Sequence, residues 1–186
     1  MKDYRRKDPR FSLCGLNCAL CPMHLGGYCP GCGGGEGHQS CAVIRCSREQ
    51  GEMDYCFECA QFPCPRYDSL TEYDSFIPHR HMVCDLKRVQ QIGPAAYGEE
   101  LEQKSAILQR LLEYYNDGRR KTFYITAVSL LDLSDLSAAM DELDRFSMSA
   151  QDASIKERAA FAVARLTALA GERHIELKLR KKPKSR

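Results

Sequence analysis

Ten cysteines lie between Cys14 and Cys64, and only Cys84 lies elsewhere in the 186 residues. They come in short groups: Cys14, Cys18 and Cys21; Cys29 and Cys32; Cys41 and Cys46; Cys56, Cys59 and Cys64. Thiols grouped in this way are suited to metal ligation, because two residues between cysteines let the backbone turn tightly enough to offer both sulfurs to one tetrahedral ion. Three such steps are present, Cys18/Cys21, Cys29/Cys32 and Cys56/Cys59, and Gly33 permits the turn behind the second. Zinc and iron sites share this knuckle, so spacing does not choose the metal.

Spacing places Cys18, Cys21, Cys29 and Cys32 in one site, and Cys46, Cys56, Cys59 and Cys64 in a second. Cys14 and Cys41 then complete a third with His24 and His38, or bridge neighbouring ions. The alternative for each histidine is a solvated surface residue. Cys14, Cys18 and Cys21 also have the spacing of the cluster motif of radical S-adenosylmethionine enzymes. Those enzymes need a large α/β barrel, however, and the rest of this chain is short and helical in pattern. A plain iron–sulfur cluster fits better.

The wider pattern is specific. Cys14-Gly15-Leu16-Asn17-Cys18-Ala19-Leu20-Cys21-Pro22, then Cys29-Pro30-Gly31-Cys32, then Tyr55-Cys56-Phe57-Glu58-Cys59 and Phe62-Pro63-Cys64 resemble the prokaryotic cysteine-rich domain-of-unknown-function family numbered 3795. The likeness extends to residues 116–123, from Asn116 to Phe123, and covers most of the chain. All ten clustered cysteines have counterparts in the family pattern. The resemblance implies a metal-holding lobe and brings no reaction with it.

The elements that must position these thiols divide the chain by composition into residues 1–67, 68–172 and 173–186, with net charges of +1, −5 and +6. The first stretch is poor in apolar residues and rich in glycine, so no conventional core is expected there, and a bound metal would supply the folding free energy. The second reads as about five amphipathic helices. Met82, Leu86 and Val89 mark one within 79–92, with Cys84 nearly opposite that stripe and His81 beside it. Pro94 opens the next, which runs to a stop at Gly118. Phe123 to Leu131 is apolar on nearly every side, a buried helix or, alternatively, a buried strand. Leu136 to Phe146 forms another helix. The last starts at a capping box read at Ser149 to Asp152 and ends at Gly171. Ile175, Leu177 and Leu179 alternate as a short extended segment. The fold expected is mainly α, an irregular metal-stabilised lobe followed by a small helical domain.

No secretory leader and no long apolar run is visible, which points to the cytoplasm, where thiols stay reduced and ligation is favoured over disulfides. Full thiolate coordination leaves zinc no open position, so the expected function is a structural zinc module that binds a partner protein, with iron–sulfur redox chemistry as the rival. A thiol-redox or metal-handling role would need a reactive Cys41, Cys46 or Cys84. The tail cations Lys178, Arg180, Lys181, Lys182, Lys184 and Arg186 offer nonspecific attraction to nucleic acid, or are simply solvated. Arg119, Arg120 and Lys121 either grip an anion or offset a helix end and surface acids. No catalytic constellation stands out, and no membrane association is expected.

Overall fold

The computed structural model describes residues 3–36 and 41–183. His38, Lys184 and Arg186 lie outside the described residues. Among the described residues eight α-helices follow one another: α1 (Pro22–Leu25), α2 (Ala42–Glu49), α3 (Arg66–Leu70), α4 (Met82–Ile92), α5 (Pro94–Tyr114), α6 (Lys121–Leu130), α7 (Leu133–Ser149) and α8 (Ile155–Glu172). Among the described residues there is no strand, only an isolated antiparallel bridge between Arg5 and Gly34. No described helix is long and apolar enough to cross a membrane. The chain forms two compact units, one running to Leu101 and taking in the segment from Leu179, the other Glu102–Lys178. The division falls inside α5 and not where the composition changes.

The first unit holds all the clustered cysteines. Contrary to the expectation from its composition, their neighbourhood has a small apolar core: Phe11, Leu13, Leu20 and Ile44 are at most 3% exposed. Part of that core comes from further along the chain. The ring of Phe11 lies 4.8 Å from that of Tyr97 at the start of α5, and Met82, Leu86 and Val89 of α4 are buried in the same unit. Gly15 sits at φ +96° against the carbonyl of Met82 and the side chain of Leu86, where a Cβ would collide with both. Glycine is required there for conformation and for space.

A buried polar network ties the same segments together. The side-chain amide of Asn17 donates to Asp85 Oδ2 of α4 at 3.0 Å, and the Tyr97 hydroxyl donates to Asn17 Oδ1 at 2.9 Å. Burial first, and then the charge of Asp85, push the Tyr97 hydroxyl well above its ordinary range, so it remains a donor. Polar groups taken out of water in this way must find partners within the protein, which makes the register of Asn17 against α4 and α5 specific.

The segment from Leu179 docks on the loop before α4. Arg180 N–H donates to Asp74 Oδ2 (2.8 Å), Asp74 N–H to the Arg180 carbonyl (2.7 Å), and the Arg180 guanidinium to the Thr71 carbonyl (2.7 Å). Asp74 also accepts from His79 N–H and Arg80. Arg180 is therefore tied to this loop while its side chain stays partly in solvent.

In the second unit, α6 is the central buried helix expected around Phe123. Tyr124, Ile125, Ala127, Val128 and Leu130 are at most 1% exposed. It is helical rather than extended, and of its buried hydroxyls Thr126 and Ser129 bond backward within the turn, to Thr122 O (2.8 Å) and Ile125 O (2.7 Å), while Tyr124 donates to the Tyr115 carbonyl (2.6 Å). Phe146 of α7 stacks on Phe161 of α8 at 4.1 Å, and Arg173 forks onto Asp135 with both contacts at 2.8 Å. That guanidinium holds the Asp135 carboxyl below its usual range. Arg120 lies 3.4 Å from Asp117, so this member of the 119–121 cluster pairs with a surface acid.

Several boundaries differ from the sequence reading. α4 begins at Met82, since His79 is occupied with Asp74, Ser75 and Leu70. The capping box is Ser154 with Glu157, not Ser149 to Asp152, because α7 runs on through Ser149 and the reciprocal bond needs the longer glutamate. Gly171 lies inside α8, and the left-handed residue after that helix is His174, at φ 55°. Residues 175–179 form no strand.

Asn17→Ala removes one partner each from Asp85 and Tyr97, and should lower the unfolding free energy by about 1–3 kcal/mol in a urea titration of the whole chain. An unchanged midpoint would mean the network adds nothing to stability.

Candidate functional site

Tight turns and short helices set out the thiols. Cys18 opens a 3-10 turn, Cys18–Leu20, closed by Cys21 N–H on the Cys18 carbonyl (2.9 Å). Cys21 then caps the N-terminus of α1, and Cys29 follows that helix with its N–H on the Met23 carbonyl. Cys32 stands between Gly31 and Gly33, with its N–H on the Pro9 carbonyl (3.0 Å). At Gly33, φ +77° and the backbone nitrogen of Arg6, 2.8 Å from where a Cβ would stand, account for the glycine behind this knuckle. Cys41 caps α2 and Cys46 lies within it. A second 3-10 turn, Cys56–Glu58, leads to Cys59, and Cys64 accepts Tyr67 N–H at the entry to α3. No disulfide joins any of the eleven cysteines.

The second set inferred from spacing shares one wall of the fold. Cys46, Cys56, Cys59 and Cys64 line one cavity of about 40 Å³, walled by Leu13, Val43, Met53, Phe62 and Tyr67. Burial pushes the Cys56 thiol up to about 11, with Cys64, Cys46 and Cys59 adding to the rise.

Among the remaining clustered thiols, electrostatic effects reach across the knuckle pairs. Burial drives the Cys14 thiol up to about 12, and the neighbouring charges that add to this are those of Cys32 and Cys41, then Cys56. Cys18 is raised further still by burial, and Cys32 and Cys14 act on it more strongly than its knuckle partner Cys21. Cys32 is raised by burial and by Cys41. Cys14 and Cys41, left over by the spacing argument, are thus among the thiols whose charge bears on Cys32 and its neighbours.

Hydrogen-bond donors are aimed at several of these sulfurs. Ser12 Oγ lies 3.2 Å from Cys14 Sγ, and because that oxygen already accepts Leu16 N–H at 2.6 Å, its proton is free to point at the sulfur. Leu13 N–H and the guanidinium of Arg6 both donate to Cys32 and oppose the effect of burial. Arg6 is fixed by the carbonyls of Asp8, Phe11 and Asp54 and by the ring of Tyr55, 4.8 Å from its guanidinium carbon. Tyr67 donates to the Cys14 carbonyl at 3.2 Å and its hydroxyl also reaches Cys56. Sulfur accepts weakly as a thiol and strongly as a thiolate, so donors placed on it favour the charged form.

Among the described residues, no three His, Cys, Asp or Glu side chains are grouped as a ready metal site. His24 pairs through Nδ1 with the Cys29 carbonyl (3.0 Å), while His81 caps α4 with its Nδ1 4.0 Å from Asp85. Cys84 is exposed on α4. Arg6, Ser12 and Tyr67 were not identified from sequence. Ser12, two residues before Cys14, carried the nearest thing to a signal; the other two reach the thiols only through the tertiary fold.

No family model, no curated protein and no solved structure significantly matches this chain.

Tyr67→Phe keeps the edge contact with Phe62 (ring centroids 5.7 Å) and deletes the hydroxyl that reaches Cys14 and Cys56. A stability loss of about 0.5–1.5 kcal/mol is expected in chemical denaturation. A neutral substitution would show that the bridge contributes nothing.

Proposed function

We propose that this chain is a metal-binding protein of the cysteine-rich family 3795 type, in which clustered cysteines hold zinc structurally and the surface built around them serves as a binding or scaffold module. The observation that carries the reading is the convergence of Cys46, Cys56, Cys59 and Cys64 on a cavity of about 40 Å³. Soft thiolates suit zinc, and four of them leave no coordination position for water or substrate, which makes such a site a scaffold.

The iron–sulfur alternative draws on the donors at Cys14 and Cys32, since hydrogen bonds to sulfur also set cluster potentials. The partner we favour is a protein. Leu25 and Tyr28, in the stretch between Cys21 and Cys29, are 37% and 77% exposed, and an apolar surface next to the metal lobe suits a protein contact. Binding of nucleic acid by the tail is disfavoured by the attachment of Arg180 to Asp74.

Protein purified without oxygen should contain about two zinc ions per chain, little iron or labile sulfide, and no visible colour. Chelation should then expose the first unit to proteolysis, because metal binding free energy is folding free energy here. Iron with matching sulfide would replace this reading with the redox one, and metal-free protein of unchanged protease resistance would remove both.

A further inference from the structure

The wall that α3 gives to the thiol cavity is held from outside by a knot of bonds around Asp74. Arg66, Tyr67 and Leu70 of α3 line the cavity with Cys46, Cys56, Cys59 and Cys64. The helix has only five residues and no side-chain cap, and a single turn of this length does not hold itself together. The carbonyls at its end find partners further along the chain. Thr71 N–H and Oγ1 both donate to the Tyr67 carbonyl (2.9 and 2.7 Å). The Leu70 carbonyl meets His79 Nδ1 (2.9 Å), and the Thr71 carbonyl accepts the Arg180 guanidinium (2.7 Å).

The carboxylate of Asp74 gathers the same segments. Its side chain is fully buried; Oδ1 accepts His79 N–H (2.7 Å), and Oδ2 accepts the Arg80 guanidinium (3.0 Å) and Arg180 N–H (2.8 Å). Asp74 N–H returns a bond to the Arg180 carbonyl (2.7 Å). A carboxylate withdrawn from water depends on such donors. Two of the three lie within six residues of Asp74, whereas Arg180 is 106 positions away and belongs to the first unit although it follows the second in sequence. Its side chain is 41% exposed against 20% for Arg80, so it is the partner nearest to solvent.

From this arrangement we propose that Leu179 and Arg180 form a clasp that holds α3 against the thiol cavity, so that detaching the segment opens Cys56, Cys59 and Cys64 to reagents and metal ions. The clasp acts through Thr71: loss of Arg180 frees the Thr71 carbonyl, and the two bonds from Thr71 to Tyr67 then no longer tie α3 to the Asp74 loop. Local openings of this kind set how often a shielded group meets solvent.

The test is the rate of alkylation of each cysteine by iodoacetamide, read by peptide mass spectrometry on the full chain as purified without oxygen. Arg180→Pro removes both the N–H and the guanidinium. Cys56, Cys59 and Cys64 should react about three- to tenfold faster in this variant, the opening expected from losing hydrogen bonds worth about 1 kcal/mol each, while Cys21 and Cys29 keep their rates. Arg180→Ala, which retains the backbone pair with Asp74, should give a smaller rise at the same three thiols. Unchanged rates at these thiols overturn the proposal, and so does an equal rise at all eleven, which reports general unfolding. Because Arg180→Pro can fail to fold, hydrogen exchange on the unaltered protein provides a second reading. The amides of Thr71, Asp74 and Arg180 should share one protection factor, as members of a single opening unit. Protection at Thr71 more than about tenfold above that at Arg180 would mean that the segment leaves without disturbing α3, and refutes the clasp.

Discussion

Three consecutive residues, Ser12 to Cys14, carry the contacts on which the cysteine-rich part depends. The hydroxyl of Ser12 faces Cys14 Sγ, Leu13 N–H meets the Cys32 sulfur, the Leu13 carbonyl accepts Cys56 N–H at 2.9 Å, and the Cys14 carbonyl accepts the Tyr67 hydroxyl. One short stretch of backbone thereby touches both thiol groups. Gly15 follows at once, turning the chain against α4, and Asn17 then enters the network with Asp85 and Tyr97. A shift of the strip by a single residue would break contacts on both sides, so its position constrains everything from Arg6 to α5.

Electrostatics sets the condition under which so many sulfurs can share a small volume. Two like unit charges about 4 Å apart repel by about 4 kcal/mol at an effective dielectric of 20, before any cost of burial. Packed thiols therefore stay protonated when alone, consistent with the upward shifts at Cys14, Cys18, Cys32 and Cys56. The donors from Ser12, Leu13, Arg6 and Tyr67 work in the opposite direction. They are too few to offset burial, and a cation bound among the sulfurs is the natural complement to them. This is the physical content of the metal-binding proposal.

The second unit is organised by a different interaction, the burial of α6. Its side chains are apolar on almost all sides, Thr126 and Ser129 bond within the helix, and the buried hydroxyl of Tyr124 reaches outside it to the Tyr115 carbonyl at 2.6 Å. Charged pairs at the rims of α7 and α8, such as Arg165 with Glu142 at 2.7 Å, are partly exposed and add little by comparison.

Much of the helical part was legible from periodicity alone. The five helices expected after residue 68 are α4 to α8, since a 3.6-residue apolar stripe depends only on neighbours along the chain. The boundaries were less legible, because caps depend on one bond: Ser154 with Glu157 set the start of α8, and the pull of Asp74 on His79 delayed α4. Cys46, Cys56, Cys59 and Cys64, grouped by spacing, line one small cavity because they lie close along the chain. The apolar core beneath the lobe was not legible. Part of it arises when α4 and α5 fold back onto residues 11–17 through Phe11, Gly15 and Asn17, contacts between residues about 67 to 86 positions apart. By itself the sequence determined which residues can ligate metal and where the chain is helical, since side-chain chemistry and short-range periodicity are local. Tertiary structure alone decided which sulfurs face one another, since that depends on chain reversals driven by distant burial.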